Sequence, residues 1–280
     1  MTWKQLLSLS LACSFGLLCS CTSGGSSSDQ TDTVSGNACS DLNIKILNGE
    51  QCKQSISPVV LVIALANDRS FGATCSGTLI TPTTVLTAAH CLVFDTPVTM
   101  AVRAGPQTLA VSEVIPHPLY PYSGLSSGLV PVTNYDIGII KLAKASSITP
   151  VSIVGSRSVG KNEQLAVFGY GLDQYDKGVE EYGVDALKAT HVRVSDRQEN
   201  LIITSYDDTK TGACEGDSGG PLTAQVDGST AIVGVVQGGT NPDHPQAAGC
   251  GDGYFDVFTA VHESDVFNFI TSHAPGVNVL

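Results

Sequence analysis

One serine in this chain sits among glycines in a way that could make it a nucleophile. Ser218 lies in Gly212-Ala213-Cys214-Glu215-Gly216-Asp217-Ser218-Gly219-Gly220-Pro221-Leu222, with an acid directly before it. A serine hydroxyl attacks poorly until a base takes its proton. Flanking glycines let the backbone turn sharply and let a substrate come close. The main-chain amides of Gly216 and Ser218 could then converge on one point and stabilise a developing oxyanion. The short pattern Gly-x-Ser-x-Gly is common in plain turns, but the longer string is much rarer. The rest of the chain must supply a histidine and an acid. His90 stands in Thr87-Ala88-Ala89-His90-Cys91, and Asp136 in Asn134-Tyr135-Asp136-Ile137. An aspartate that opens an apolar strand is usually a cap or a turn residue; here it is a candidate for a buried acid.

The elements that must position these residues read as strands. Pro58 to Ala66 is a continuous apolar run, the pattern of a buried strand. Residues 75–80 and 84–87 are two more strands around a turn at Thr81-Pro82, and His90 follows them directly. Residues 98–103 and 109–115 continue the set, and a long polar loop from His117 to Val132 leads into Asp136 and the strand after it. Residues 143–160 form a Ser/Pro/Val linker. A second set follows at 164–170, 187–194, 201–205, 221–226, 231–237 and 254–260. One helix is evident, from Glu263 to His273, ended by Pro275-Gly276. Two successive sets of short strands predict an all-β architecture of two barrels with a C-terminal helix. The net charge of −12 argues against a nucleic-acid partner, which would need a basic face.

The N-terminus reads as a targeting segment. Lys4 precedes an apolar run from Leu6 to Leu18, short for a membrane span. Leu18-Cys19-Ser20-Cys21 resembles the lipobox of bacterial lipoproteins, which would make Cys21 a lipidated N-terminus; the alternative is an ordinary secretory signal. Residues 22–37 are Ser, Gly, Thr and Asp with almost no apolar residue, the composition of a flexible linker. Six of the nine cysteines lie beyond this segment, an even number that suggests disulfides after export. The spacing of the cysteines and histidines suggests no metal site, and no cofactor is expected.

The segments around His90, Asp136 and Ser218, in that order and with Cys75 and Cys91 bracketing the histidine, resemble the trypsin/chymotrypsin family of serine peptidases. The resemblance runs from about Ile46 to the terminal helix. It implies two antiparallel six-stranded β-barrels, about 46–145 and 146–262, with a helix over 263–273. Before them lie a signal peptide (1–20) and a lipid-anchored linker and propeptide (21–45). It also implies roles: Ser218 attacks, His90 carries the proton, Asp136 orients the imidazole, and the Gly216 and Ser218 amides form the oxyanion hole. The substrates would be proteins or peptides, with proteinaceous inhibitors as a further class of partner. The membrane would be met only through the N-terminal lipid, in a bacterial envelope, or not at all if the protein is secreted.

Further family features carry over residue by residue. Lys45-Ile46-Leu47-Asn48-Gly49 resembles the activation site, where a cut after Lys45 frees an Ile46 amino group to pair with Asp217. Cys75–Cys91 and Cys214–Cys250 resemble family disulfides, which leaves Cys39 to pair with Cys52. Gly212 takes the place of the residue on the floor of the substrate pocket, so a simple trypsin-like floor acid is absent. Asp256 falls on the pocket wall, and with Gly212 and Gly239 leaving room it implies preference for Lys or Arg together with some large apolar residues. The alternative is that Asp256 turns outward on its strand. Val236-Gln237-Gly238-Gly239 departs from the family's Ser-Trp-Gly, and Gln237 stands where a serine supports the acid. Two other readings remain in view: an inactive relative that only binds, and an α/β-hydrolase-type esterase, which requires a helix after the serine.

Overall fold

Everything described below lies in the unit Gly36–Leu280. The computed structural model describes residues 50–51, 56–68, 72–121, 132–172, 186–243 and 249–280. Cys21, Cys39, Lys45, Ile46 and Cys52 lie outside the described residues.

Six strands form the first barrel: β2 (Val59–Ala66), β3 (Gly72–Thr81), β4 (Thr84–Thr87), β5 (Val98–Ala104), β6 (Gln107–Pro116) and β7 (Gly138–Leu142). They close in the order β2-β3-β4-β7-β6-β5, with β5 pairing back onto β2. The apolar run of β2 has a physical cause in this closure. Val60 and Val62 point into the first barrel with Leu79, Val85, Val102 and Ile140. The alternate residues Val59 and Leu61 pack outward against Phe168, Tyr170 and Leu187 of the second barrel. A strand buried on both faces loses the polar alternation of a half-exposed one. β7 divides in the same way, with Ile140 inside the first barrel and Ile139 in the larger core cluster, joined by Ile137 just before the strand.

The second barrel comprises β9 (Gln164–Gly169), β10 (Lys188–Gln198), β11 (Leu201–Ser205), β12 (Pro221–Val226), β13 (Ser229–Thr240) and β14 (Phe255–Ala260). The path β10-β11-β14-β13-β12-β9 closes because β9 also pairs with β10. The β12–β13 hairpin turns at Asp227-Gly228, with φ of 49° and 78°, as a two-residue hairpin of this type demands. Two short strands lie off the ring: β1 (Glu50–Gln51) pairs with β10, and β8 (Ser152–Ile153) runs parallel to β13. A short helix α1 (Tyr206–Thr209) follows β11, and α2 (Ser264–His273) buries Val266, Phe269 and Ile270. Lys141 on β7 donates to the carbonyl of His273 at the end of α2, where a cation is favoured by the helix dipole.

The architecture is therefore two closed six-stranded antiparallel barrels with a short C-terminal helix. The residues after Ser218 form strand β12 and not a helix, so the nucleophile-elbow arrangement of an α/β-hydrolase is excluded.

Candidate active site

His90 and Asp136 are 46 residues apart, and strand pairing brings them together. β4 and β7 are antiparallel neighbours, with Thr87 opposite Gly138. His90 begins the 3-10 turn His90–Leu92 just after β4, and Asp136 lies two residues before β7. The buried Asp136 carboxylate grips His90 twice. Oδ1 accepts the main-chain N–H at 2.9 Å, and Oδ2 lies 2.7 Å from Nδ1. A proton on Nδ1 satisfies that contact and leaves Nε2 as the basic nitrogen. The Cys75–Cys91 disulfide ties the turn to β3. His117 stacks on Tyr135 at 4.9 Å and packs on Phe269, so it supports the segment that carries the acid.

Ser218 is held by main chain from both barrels. Its carbonyl accepts the N–H of Ser76 on β3 at 2.7 Å, and Gly219 N–H donates to Val236 on β13 at 2.8 Å. Gly219 has φ +82°, and a Cβ there would lie 2.1 Å from Thr87 Oγ1, so only glycine fits this crossing point. The Ser218 hydroxyl donates to the main-chain carbonyl of Gln237 at 3.1 Å. Among the described hydrogen bonds none joins the Ser218 hydroxyl to His90 Nε2, which lies 3.5 Å from Cys91 Sγ, so the hydroxyl must turn about χ1 to reach that nitrogen. Both groups open on one cavity of about 360 Å³, whose wall also holds Glu215, the Cys75–Cys91 disulfide, Val62 and Phe94.

The amides expected to bind an oxyanion are oriented by their neighbours. Leu172 N–H donates to the Glu215 carbonyl at 2.9 Å. In a trans peptide the C=O and N–H point opposite ways, so the Gly216 N–H is directed away from Leu172. Among the described hydrogen bonds, neither the Gly216 nor the Ser218 amide donates to a protein acceptor. The fully buried Asp217 braces this turn. Oδ1 accepts Gly171 N–H at 2.7 Å, and Oδ2 accepts Cys214 N–H at 2.9 Å. Burial pushes its carboxyl up to about 7, against the pull of those two N–H groups and the Lys188 charge. Lys188 was not singled out in the sequence. It is buried on β10, and its Nζ donates to the Gly171 carbonyl at 2.6 Å. Ser76 was also missed: its hydroxyl donates to Gly216 O and accepts from Tyr170 N–H, both at 2.9 Å.

Asp256 is 1% exposed and faces Gly212: a Cβ on that glycine would lie 2.6 Å from Asp256 Oδ2. Oδ2 accepts Ala213 N–H at 3.1 Å and the Thr204 hydroxyl at 3.3 Å. Among the described hydrogen bonds none reaches Oδ1. Burial pushes this carboxyl up to about 7 as well. Gly239 pairs with Asp256 across the ladder. The room expected at both glycines is occupied: the Asp256 carboxylate fills it at Gly212, and a Cβ on Gly239 would lie 2.3 Å from the Gly249 carbonyl. The second disulfide, Cys214–Cys250, joins the serine loop to the segment after β13.

Comparison with known proteins gives a consistent answer. Residues 46–264 match the protein family described as Trypsin. The chain is 29% identical over 234 residues to the serine protease Hayan of Drosophila melanogaster, covering 71% of this chain and 36% of that protein, so it spans about a third of Hayan's length. It is 25% identical over 230 residues to chymotrypsin-like elastase family member 1 of Bos taurus, covering 70% of this chain and 79% of that one. A chymotrypsin of Phaedon cochleariae is 30% identical over 200 residues, 65% of this chain and 70% of its own.

Proposed function

The chain belongs to the trypsin family of serine endopeptidases, and on that premise we propose that it cuts peptide bonds through Ser218, His90 and Asp136. The observation that carries this reading is the grip of the buried Asp136 on His90, on the wall of a cavity shared with Ser218. His90 Nε2 takes the hydroxyl proton as Ser218 Oγ bonds to the scissile carbonyl carbon. The carbonyl oxygen becomes an oxyanion between the Gly216 and Ser218 amides, each such donor being worth about 3 kcal/mol in the transition state. The imidazolium, stabilised by Asp136, returns the proton to the leaving nitrogen as the C–N bond breaks. Water then attacks the acyl ester, giving its proton to His90, which passes it to the Ser218 oxygen as that oxygen leaves.

The substrate pocket takes Lys or Arg. Asp256 supports this, because its carboxylate is buried against Gly212 and no cation pairs with it among the described ion pairs. With its carboxyl ionising near pH 7, the anionic fraction grows as pH rises through that value, and selection for a cation grows with it. The Arg-to-Leu rate ratio is therefore expected to rise between about pH 6 and pH 8. In Asp256→Ser the ratio should be lower and independent of pH. An unchanged ratio in that variant removes Asp256 from the pocket.

The enzyme is exported as a zymogen. A cut after Lys45 frees the Ile46 amino group, which pairs with Asp217 and steadies the Gly216 amide. Breaking a buried pair of this kind costs about 3–5 kcal/mol. Cys21 carries lipid, and Cys39–Cys52 keeps the cut domain joined to its anchor. Membranes carrying the processed protein are expected to release the peptidase domain only after reductant is added. Release without reductant would rule out the Cys39–Cys52 link or the lipid at Cys21.

A further inference from the structure

The β13–β14 ladder slips by one residue between Val236 and Gly238, which leaves Gln237 without a partner on β14. A bulge of this kind takes a residue out of the ladder and re-aims its side chain. Gln237 is 2% exposed, and its main chain and side chain both make contacts at the active site. Its main-chain carbonyl accepts the Ser218 hydroxyl. Its carboxamide meets Thr133 at both main-chain groups: Oε1 accepts the N–H at 3.2 Å, and Nε2 donates to the C=O at 2.7 Å. The second Nε2 proton goes to Thr259 Oγ1 at 2.9 Å, and that hydroxyl donates to the main-chain carbonyl of Asp136, also at 2.9 Å.

The segment that carries the acid is thus tied at two points, three residues apart: at Thr133 by Gln237 directly, and at Asp136 by Thr259, which Gln237 holds in turn. Among the described hydrogen bonds the Asp136 carboxylate itself accepts only from His90. Its placement under the imidazole therefore depends on where the main chain of residues 133–136 is held. We propose that Gln237 is a positioning residue for the triad: it sets Asp136 against His90 through the main chain on both sides of the acid, with Thr259 as the second link. This rests on the Ser218–His90–Asp136 mechanism above.

The test uses the full peptidase and the variants Gln237→Met, similar in length but without hydrogen bonds, and Thr259→Val, which removes only the last link. Three quantities are measured: kcat and KM on a peptide, the thermal midpoint, and the low-field proton resonance of His90 Nδ1–H. The resonance can be read whether or not the protein turns over. For Gln237→Met we expect kcat to fall by about tenfold to a hundredfold, the scale of a small misplacement, with KM within about twofold. The His90 resonance should shift or broaden. Thr259→Val should do the same to a smaller extent, because it removes the tie at Asp136 and leaves Gln237 on Thr133. A folded Gln237→Met protein with wild-type kcat and an unmoved resonance overturns the proposal. If that variant does not fold, an unmoved resonance and wild-type kcat in Thr259→Val overturn it instead. A wild-type protein that cleaves no peptide would count against the peptidase reading, while the resonance would still decide the role of Gln237.

Discussion

Ser218→Ala is expected to lower kcat for peptide hydrolysis by about 10⁶-fold, as loss of the nucleophile does when a triad acts as one unit. Labelling by a serine-directed phosphonate should disappear with it. The fold should survive, because the turn is held by main chain: Ser76 to Ser218, Gly219 to Val236, and Gly220 to Asp217. Removing the hydroxyl breaks one described hydrogen bond, to the Gln237 carbonyl. Residual hydrolysis, driven by the oxyanion amides and by binding alone, is expected about 10³–10⁴-fold above water. A variant that cleaves at near the wild-type rate would sink the assignment of Ser218.

Asp136→Asn should cost about 10⁴-fold in kcat near neutral pH. The cause lies in the two contacts to His90. The carboxylate offers an acceptor to the main-chain N–H and another to Nδ1. A carboxamide has one oxygen and one NH₂. If the oxygen keeps Nδ1–H, the NH₂ faces the main-chain N–H, and a buried donor is left unpaired at a cost of about 1–3 kcal/mol. If the amide flips, its NH₂ faces Nδ1 and forces the imidazole proton onto Nε2, where it cannot accept the proton of Ser218. Stopped assays with folded protein decide the matter: a loss smaller than about tenfold would remove Asp136 from the mechanism.

Much of the scaffold was legible in the chain because its signals are local. The bounds of β4, β11 and β12 coincide with the expected 84–87, 201–205 and 221–226. Each is a short apolar or β-branched run closed by a turn signal. β10 runs on past Val194 to Gln198, because after a bulge its polar end pairs with β11, and polarity alone hides that. β8 is two residues long and takes its partner from far along the chain, so no period marks it. At the site, the residues of recognisable motifs were legible and their supports were not. Lys188 looks like a surface cation, yet it is buried against a main-chain carbonyl. Ser76 and Thr259 are ordinary strand residues until the other barrel is packed beside them. Gln237 was visible as a departure, but its grip on Thr133 depends on a bulge that no sequence pattern encodes. The room assigned to Gly239 failed because the carbonyl that fills it belongs to a residue ten positions later.

Closure of both barrels has a consequence for an enzyme surrounded by its own copies. A peptidase reads chain in extended form, and the regular elements described for this molecule are mostly extended chain. In each ring every strand has a neighbour on both sides, β9 completing one circuit and β5 the other. Lifting any of these strands into a neighbour's cleft would break two ladders at once, in a structure whose closure leaves the rings no open edge. Self-digestion is thereby directed to the connections between strands, and a molecule nicked there keeps its rings intact.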